Sequence, residues 1–318
     1  RVEAGGQSWF VRRRGPRTST PERVAFDHGL RRHLADHGFP TAAPLTAVTG
    51  DAVVRLEDGL YEAYPWVSGQ GLTPGIAAAA RGPAAAALAR FHTLAATYRG
   101  ECEPLVPQFG HYPSPIRPRP RFDDPGAFLE ALAQIAERYT TPANRDALRR
   151  ARDWVVWWDE TYSALYQRLP RGVIHGDYNG CNLLFHPDGQ VAGVFDYDWA
   201  WRETRVRDIG EGLFFFGAQR ETVLDGGSIW SLTSCPRLEG AGMAEFLGTY
   251  HRAAPLSADE LRAVPLAMLG RWIACRTEGA MKVPEERRAE FALADFERPF
   301  TWYQRAASAL QEAVSGSA

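Results

Sequence analysis

The segment His175-Gly176-Asp177-Tyr178-Asn179-Gly180-Cys181-Asn182, followed by Val194-Phe195-Asp196-Tyr197-Asp198, gathers oxygen-bearing side chains around short apolar runs. Magnesium takes oxygen ligands, commonly one or two protein carboxylates completed by phosphate oxygens and water. Asn182 and Asp196 offer such a pair. Asp198 shares a side with Asp196 if the chain stays extended there, which makes it a further candidate ligand. Asp177, five residues before Asn182, is suited to accept a hydrogen bond from a substrate hydroxyl and aim it at a terminal phosphoryl group. His175 offers either a general base near neutral pH or a brace for the loop; it joins Asp177 in the candidate catalytic set. Gly176 permits a turn that a Cβ would obstruct. Cys181 reads as a small filler. Any one of these Asp or Asn residues is equally at home capping a turn. Their ordered combination points instead to metal-assisted phosphoryl transfer.

The elements that must position them follow from patterning. Leu183-Leu184-Phe185 and Val191-Ala192-Gly193-Val194-Phe195, joined at Asp188-Gly189, read as a hairpin that would bring Asp177, Asn182 and Asp196 into one cleft. Upstream, Trp9–Arg13 is strand-like, a helix is expected over about 21–37, and strands over 52–56 and 60–64 turn at Asp58-Gly59. Beyond Gly69 the pattern is helical: a short turn over 75–81 broken at Gly82-Pro83, then 83–97, 126–137, 142–168, 209–219, 241–251, 258–277 and 299–313. The proline-rich stretch 104–125 reads as loop, and the aromatics Trp154 to Tyr166 as a core stripe. The expectation is an α+β fold of two lobes: residues 1–65 as a small antiparallel-sheet lobe, and 66–318 as a larger, mainly helical lobe holding the chemistry.

Composition narrows the partners. The 318-residue chain has 36 basic and 38 acidic residues, so its charge gives no reason to invoke nucleic acid. No run approaches the roughly 18 apolar residues of a membrane span, and no leading signal segment is evident. The four cysteines show no metal-ligand spacing, which predicts a reducing, cytoplasmic setting.

These residues resemble the aminoglycoside phosphotransferase family, which includes choline kinases and one class of homoserine kinases. The match is to His175-Gly176-Asp177 with Asn182, Asp196-x-Asp198 and Asp208-Ile209-Gly210, with weaker likeness around Trp9, Tyr64–Gly69 and Leu88-x-x-Phe91-His92. The resemblance implies a protein-kinase-like fold, ATP and Mg2+ as cofactors, and a small-molecule phosphate acceptor. It implies Asp177 as the catalytic carboxylate, Asn182 and Asp196 (with Asp198 beside them) as metal ligands, and Asp208 as a tie to the catalytic loop. Arg12 would hold the ATP phosphates with Asp27 as its acidic partner, and Glu62-Ala63-Tyr64 would be the hinge that meets adenine. A phosphate-covering loop is expected upstream of Trp9; Gly5-Gly6 reads as a hairpin turn, so the small lobe is expected to lack that loop and its first strand. No Gly-x-x-x-x-Gly-Lys-Ser/Thr signature substitutes for it.

The expected activity is transfer of the ATP γ-phosphoryl group to a hydroxyl of a small metabolite or antibiotic. A protein serine/threonine kinase and a catalytically silent nucleotide-binding protein are the alternatives. Glu211, Asp159, Glu160 and Glu278 are candidates for attracting a cationic acceptor, or ordinary helix charges.

Overall fold

The computed structural model describes residues 1–15, 18–100, 123–220, 223–225, 227–238 and 240–316. Most of the proline-rich loop, with Tyr112, Arg117, Arg119 and Arg121, lies outside the described residues, as does Cys102.

The small lobe is a four-stranded antiparallel sheet in the order β1-β2-β4-β3. Strands β1 (Val2–Ala4) and β2 (Gln7–Arg13) turn at Gly5 and Gly6, whose φ values of +59° and +75° suit glycine. Strands β3 (Val54–Leu56) and β4 (Gly59–Pro65) pair with Leu56 opposite Gly59. Glu57 and Asp58 are therefore the hairpin tip, one step earlier than Asp58-Gly59. Arg12 of β2 lies opposite Glu62 of β4. Helix α1 (Pro21–Asp36) starts where predicted: Thr20 Oγ1 accepts from the Arg23 amide at 3.3 Å and Pro21 occupies the first turn.

The large lobe opens with α2 (Ala77–Ala95), which runs unbroken through Pro83, whereas a break was expected at Gly82-Pro83. Proline removes only the one donor that would serve the Ala79 carbonyl. At that point the turn at Asp188-Gly189 closes in: a Cβ on Gly189 would lie 2.8 Å from the Ala79 carbonyl carbon. Helices α3 (Pro125–Tyr139) and α4 (Arg145–Tyr166) follow. Trp158, Tyr162 and Tyr166 are buried as the stripe predicted.

Two small ladders then frame the loop of interest. β5 (Arg171–Ile174) pairs with β8 (Trp201–Thr204), and β6 (Leu183–Phe185) with β7 (Val191–Val194), both antiparallel. β8 has no expected counterpart, because four residues beginning Trp-Arg-Glu carry no clear alternation. Helix α5 (Val206–Gly212) passes into a π-helical turn, Leu213–Gly217. Helices α6 (Ile229–Leu232), α7 (Gly240–Ala253), α8 (Ala258–Thr277), α9 (Arg288–Leu293) and α10 (Arg298–Ser315) complete the lobe. Gly210 lets α5 sit on the α8 backbone, where a Cβ would come within 2.6 Å of the Met268 nitrogen. Among the described residues no helix is long and apolar enough to cross a membrane.

Candidate active site

The loop after β5 is held from beneath by one carboxylate. Asp208, fully buried on α5, accepts from the backbone amides of His175 at 2.6 Å and Gly176 at 2.9 Å, and from His92 Nε2 at 3.1 Å. Burial alone would raise its pKa; the hydrogen bond from His92 and the nearby charge of Arg207 outweigh that, so the value falls and Asp208 stays ionised. Gly176 has φ +83°, and a Cβ there would lie 2.2 Å from the Trp199 carbonyl oxygen. No other residue type fits.

His175 is a brace. Its Nδ1 accepts from the Asp177 amide at 3.3 Å, which leaves Nε2–H to donate to the Phe195 carbonyl at 2.9 Å. Burial lowers its pKa and keeps it neutral. Both ring nitrogens are spoken for, so the ring is no general base.

Asp177 sits at the loop's open side, with its side chain 24% exposed. Asn182 Nδ2 donates to Asp177 Oδ2 and to the Asp177 carbonyl, each at 2.8 Å. The Asn182 Oδ1 is left without a described partner. Arg271 Nη2 stands 3.5 Å from Asp177 Oδ1.

Asp196 follows β7 in left-handed conformation, φ 60°. The chain therefore turns into a short 3-10 helix, Tyr197–Trp199, instead of staying extended. The extended chain that would set Asp198 on the same side as Asp196 is therefore not formed. Asp198 Oδ1 accepts from Arg12 Nη2 at 2.5 Å and Arg14 Nη2 at 3.0 Å. Asp196, by contrast, lines a cavity of about 340 Å³ together with Asn182 and Arg12. Partial burial, then the neighbouring Asp198 and Asp177 charges, lift its pKa to about 6, against the pull of Arg12, whose Nη1 is 3.7 Å away. A carboxylate crowded by like charge, next to an unpaired amide oxygen, fits a divalent cation.

Asp27, His28 and Glu62 also lie close together. Their oxygens are already neutralised. Arg14 donates to Asp27 at 2.7 Å and to Glu62 at 3.0 Å, Arg31 to Asp27 at 2.5 Å, and Arg12 to Glu62; His28 completes the group at 2.7 Å from Glu62. This is an ion-pair cluster, filled with guanidinium groups. Burial opposes ionisation of Asp27, yet Arg31 and Arg14 depress its pKa to about 2.

Arg12 reaches the cavity as expected, but Asp27 is 3.7 Å from it and is held more closely by Arg14 and Arg31. Glu62 is no hinge residue. It pairs with Arg12 in the sheet, its side chain is in the cluster, and the Ala63 carbonyl is taken by the Leu45 amide. The segment facing the cavity is Tyr64–Val67, opposite Phe10 and Leu184. Arg14 and Arg31 were missed by sequence reasoning. Strand alternation puts Arg14 on the face of Arg12, and Arg31 is one helical turn from Asp27; both signals were there. Arg271 had none.

Glu211 is buried between Arg207 at 3.0 Å and Arg271 at 2.7 Å, so it has no free edge for a cationic acceptor. Burial lifts its pKa to about 7 despite Arg271 and Arg207.

The model of the phosphotransferase enzyme family, APH, matches residues 1–238. The chain is 25% identical over 257 residues to a homoserine kinase of Caulobacter sp. strain K31, covering 80% of this chain and 68% of that one. It is 27% identical over 252 residues to a homoserine kinase of Hyphomonas neptunium, covering 76% and 65%. The chain thus spans about two thirds of the length of these relatives. An aminoglycoside phosphotransferase structure from Alicyclobacillus acidocaldarius superposes with a TM-score of 0.66 at 20% identity, over 99% of this chain and 89% of that one.

Proposed function

This chain belongs to the phosphotransferase enzyme family, and on that premise we propose that it transfers the γ-phosphoryl group of ATP to a hydroxyl of a small molecule, with magnesium. The observation that supports this best is the meeting of Asn182, Asp196 and Arg12 on one cavity wall, with Asp177 bonded to Asn182 at 2.8 Å.

Adenine would lie in the slot between Phe10 and Leu184, against the backbone of Tyr64–Val67. Arg12, whose Nε and Nη2 are held by Glu62 and Asp198, would offer its charge and Nη1 to the phosphates. Asn182 Oδ1 and Asp196 would hold magnesium, which when bound offsets the charge of the β- and γ-phosphate oxygens. Asp177, anchored by Asn182, accepts a hydrogen bond from the acceptor hydroxyl and receives its proton. The acceptor oxygen bonds to the γ-phosphorus, the bond to the bridging oxygen breaks, and ADP departs. Asp208, through the His175 and Gly176 amides, keeps Asp177 in place.

The test is a screen of small alcohols for magnesium-dependent ADP release, repeated with Asp177→Asn. The expected result is release with at least one acceptor and a loss of about a hundredfold or more in the variant, with nucleotide affinity retained. Equal turnover by both proteins would remove Asp177 from this role.

A further inference from the structure

Arg220 follows the π-helical turn, with its guanidinium 5.0 Å from the Phe214 ring centre and 4.9 Å from that of Phe215. Nη1 donates to the Ser234 carbonyl at 3.1 Å. Nε and Nη2 are shut off from water and have no hydrogen-bond partner among the described residues. Among the described residues the ionisable groups that bear on Arg220 are Cys275, Cys235 and Cys181, and none of these is a carboxylate. Burial lowers its pKa to about 10, so it still carries its charge at neutral pH.

Arg12, Arg14, Arg31 and Arg207 all lie beside carboxylates. A shielded guanidinium with two idle donors and no counter-charge among the described residues is costly, and an anion would satisfy it.

Its location names the anion's source. Gly180 and Cys181 lie in the loop between Asp177 and Asn182. Arg220 lines a recess with Leu72 and Leu224, the residues that a Cβ on Gly180 would touch. Arg271 approaches from α8. Its Nη2 stands 3.5 Å from Asp177 and its Nε 2.7 Å from Glu211.

We propose that the phosphate acceptor carries an anionic group, a carboxylate or phosphate ester, held by Arg220 and Arg271 while its hydroxyl meets Asp177. This rests on the phosphotransfer reading and adds the acceptor's charge to it. Charge-assisted bonds to a guanidinium fork are strong, and the analogue lacking the anion leaves those donors unpaired.

The test compares matched acceptors for magnesium-dependent ADP release. Glycerate and glycerol 3-phosphate are set against glycerol, and L-homoserine against L-homoserinol, in which hydroxymethyl replaces the carboxylate. The expected kcat/KM favours an anionic member over its counterpart by about tenfold or more. Whether glycerate or glycerol 3-phosphate is preferred separates carboxylate from phosphate. Arg220→Gln should raise KM for the anionic member by about tenfold or more and leave KM for ATP unchanged within about twofold. Arg220→Lys, which keeps the charge, should recover part of the preference. Equal or better turnover of the uncharged or cationic counterpart would overturn the proposal, as would equal losses with both members of a pair in Arg220→Gln. If no member is turned over, the phosphotransfer reading fails separately. Inorganic phosphate added over saturating magnesium-ADP then decides: a rise in Tm of the wild type that Arg220→Gln lacks supports the anion site, and equal rises overturn it.

Discussion

Asp177 is held before any substrate arrives. Asn182 bonds both its carboxylate and its carbonyl, and the neighbouring amides of His175 and Gly176 are locked by Asp208. That pre-organisation is what in-line transfer needs from a protein, since the chemistry is mostly positioning and charge neutralisation. Arg12 is the corresponding group on the nucleotide side. Arg12→Ala should weaken ATP binding by about tenfold or more while leaving adenosine binding nearly unchanged; titration of both ligands checks this, and equal losses would point to damage to the fold. At this scale spacing singled out Asp177, Asn182 and Asp196, and the structure bonds Asn182 to Asp177 and sets Asn182 and Asp196 on one cavity. The extended chain expected between Asp196 and Asp198 was misread for a backbone reason. The left-handed Asp196 bends the chain, and no pattern of side chains announces a non-glycine residue at φ 60°.

Elements carry the ion-pair cluster that joins β2, β4 and α1. Asp27 is its fully buried centre, with a pKa near 2 set by Arg31 and Arg14 against the cost of burial. A folded-state pKa below the ordinary value gives stability that is complete above the ordinary carboxylate range and lost as pH falls toward that of the folded group. Asp27 should therefore contribute about 2 kcal/mol near neutral pH, lost between about pH 4 and pH 2. Denaturant titrations of wild type and Asp27→Asn should show a gap that narrows across that window; a gap constant with pH would contradict the assignment. Helices α1, α3, α4, α8 and α10 were legible from periodicity and caps, as was the β6–β7 hairpin from Asp188-Gly189. Pro83 misled, since a proline costs a helix one donor and can be carried where neighbours pack against the freed carbonyl. β8 escaped because its pairing with β5 is made across intervening chain, and short strands show little pattern of their own.

The whole molecule is two lobes pinned across the cleft. Asp198 of the large lobe accepts from Arg12 and Arg14 of the small lobe, Arg23 donates to the Ala200 carbonyl, and Pro40 and Thr41 bond to Val194. The bilobal plan was legible from the change from strand-rich to helix-rich sequence; the pins were not, because they join residues far apart in order. Asp198→Asn leaves Arg12 and Arg14 short of a charge and should lower stability by roughly 3 kcal/mol. Urea unfolding measures it, and a change near zero would mean that the pin is idle. The central claim is that Asn182 and Asp196 meet one divalent ion at the end of a triphosphate. Calorimetric titration of ATP into wild type and Asp196→Ala, each with and without magnesium, tests it most directly. Magnesium should tighten ATP binding to the wild type by about tenfold or more and do little for the variant. The same magnesium enhancement in both proteins would contradict the account.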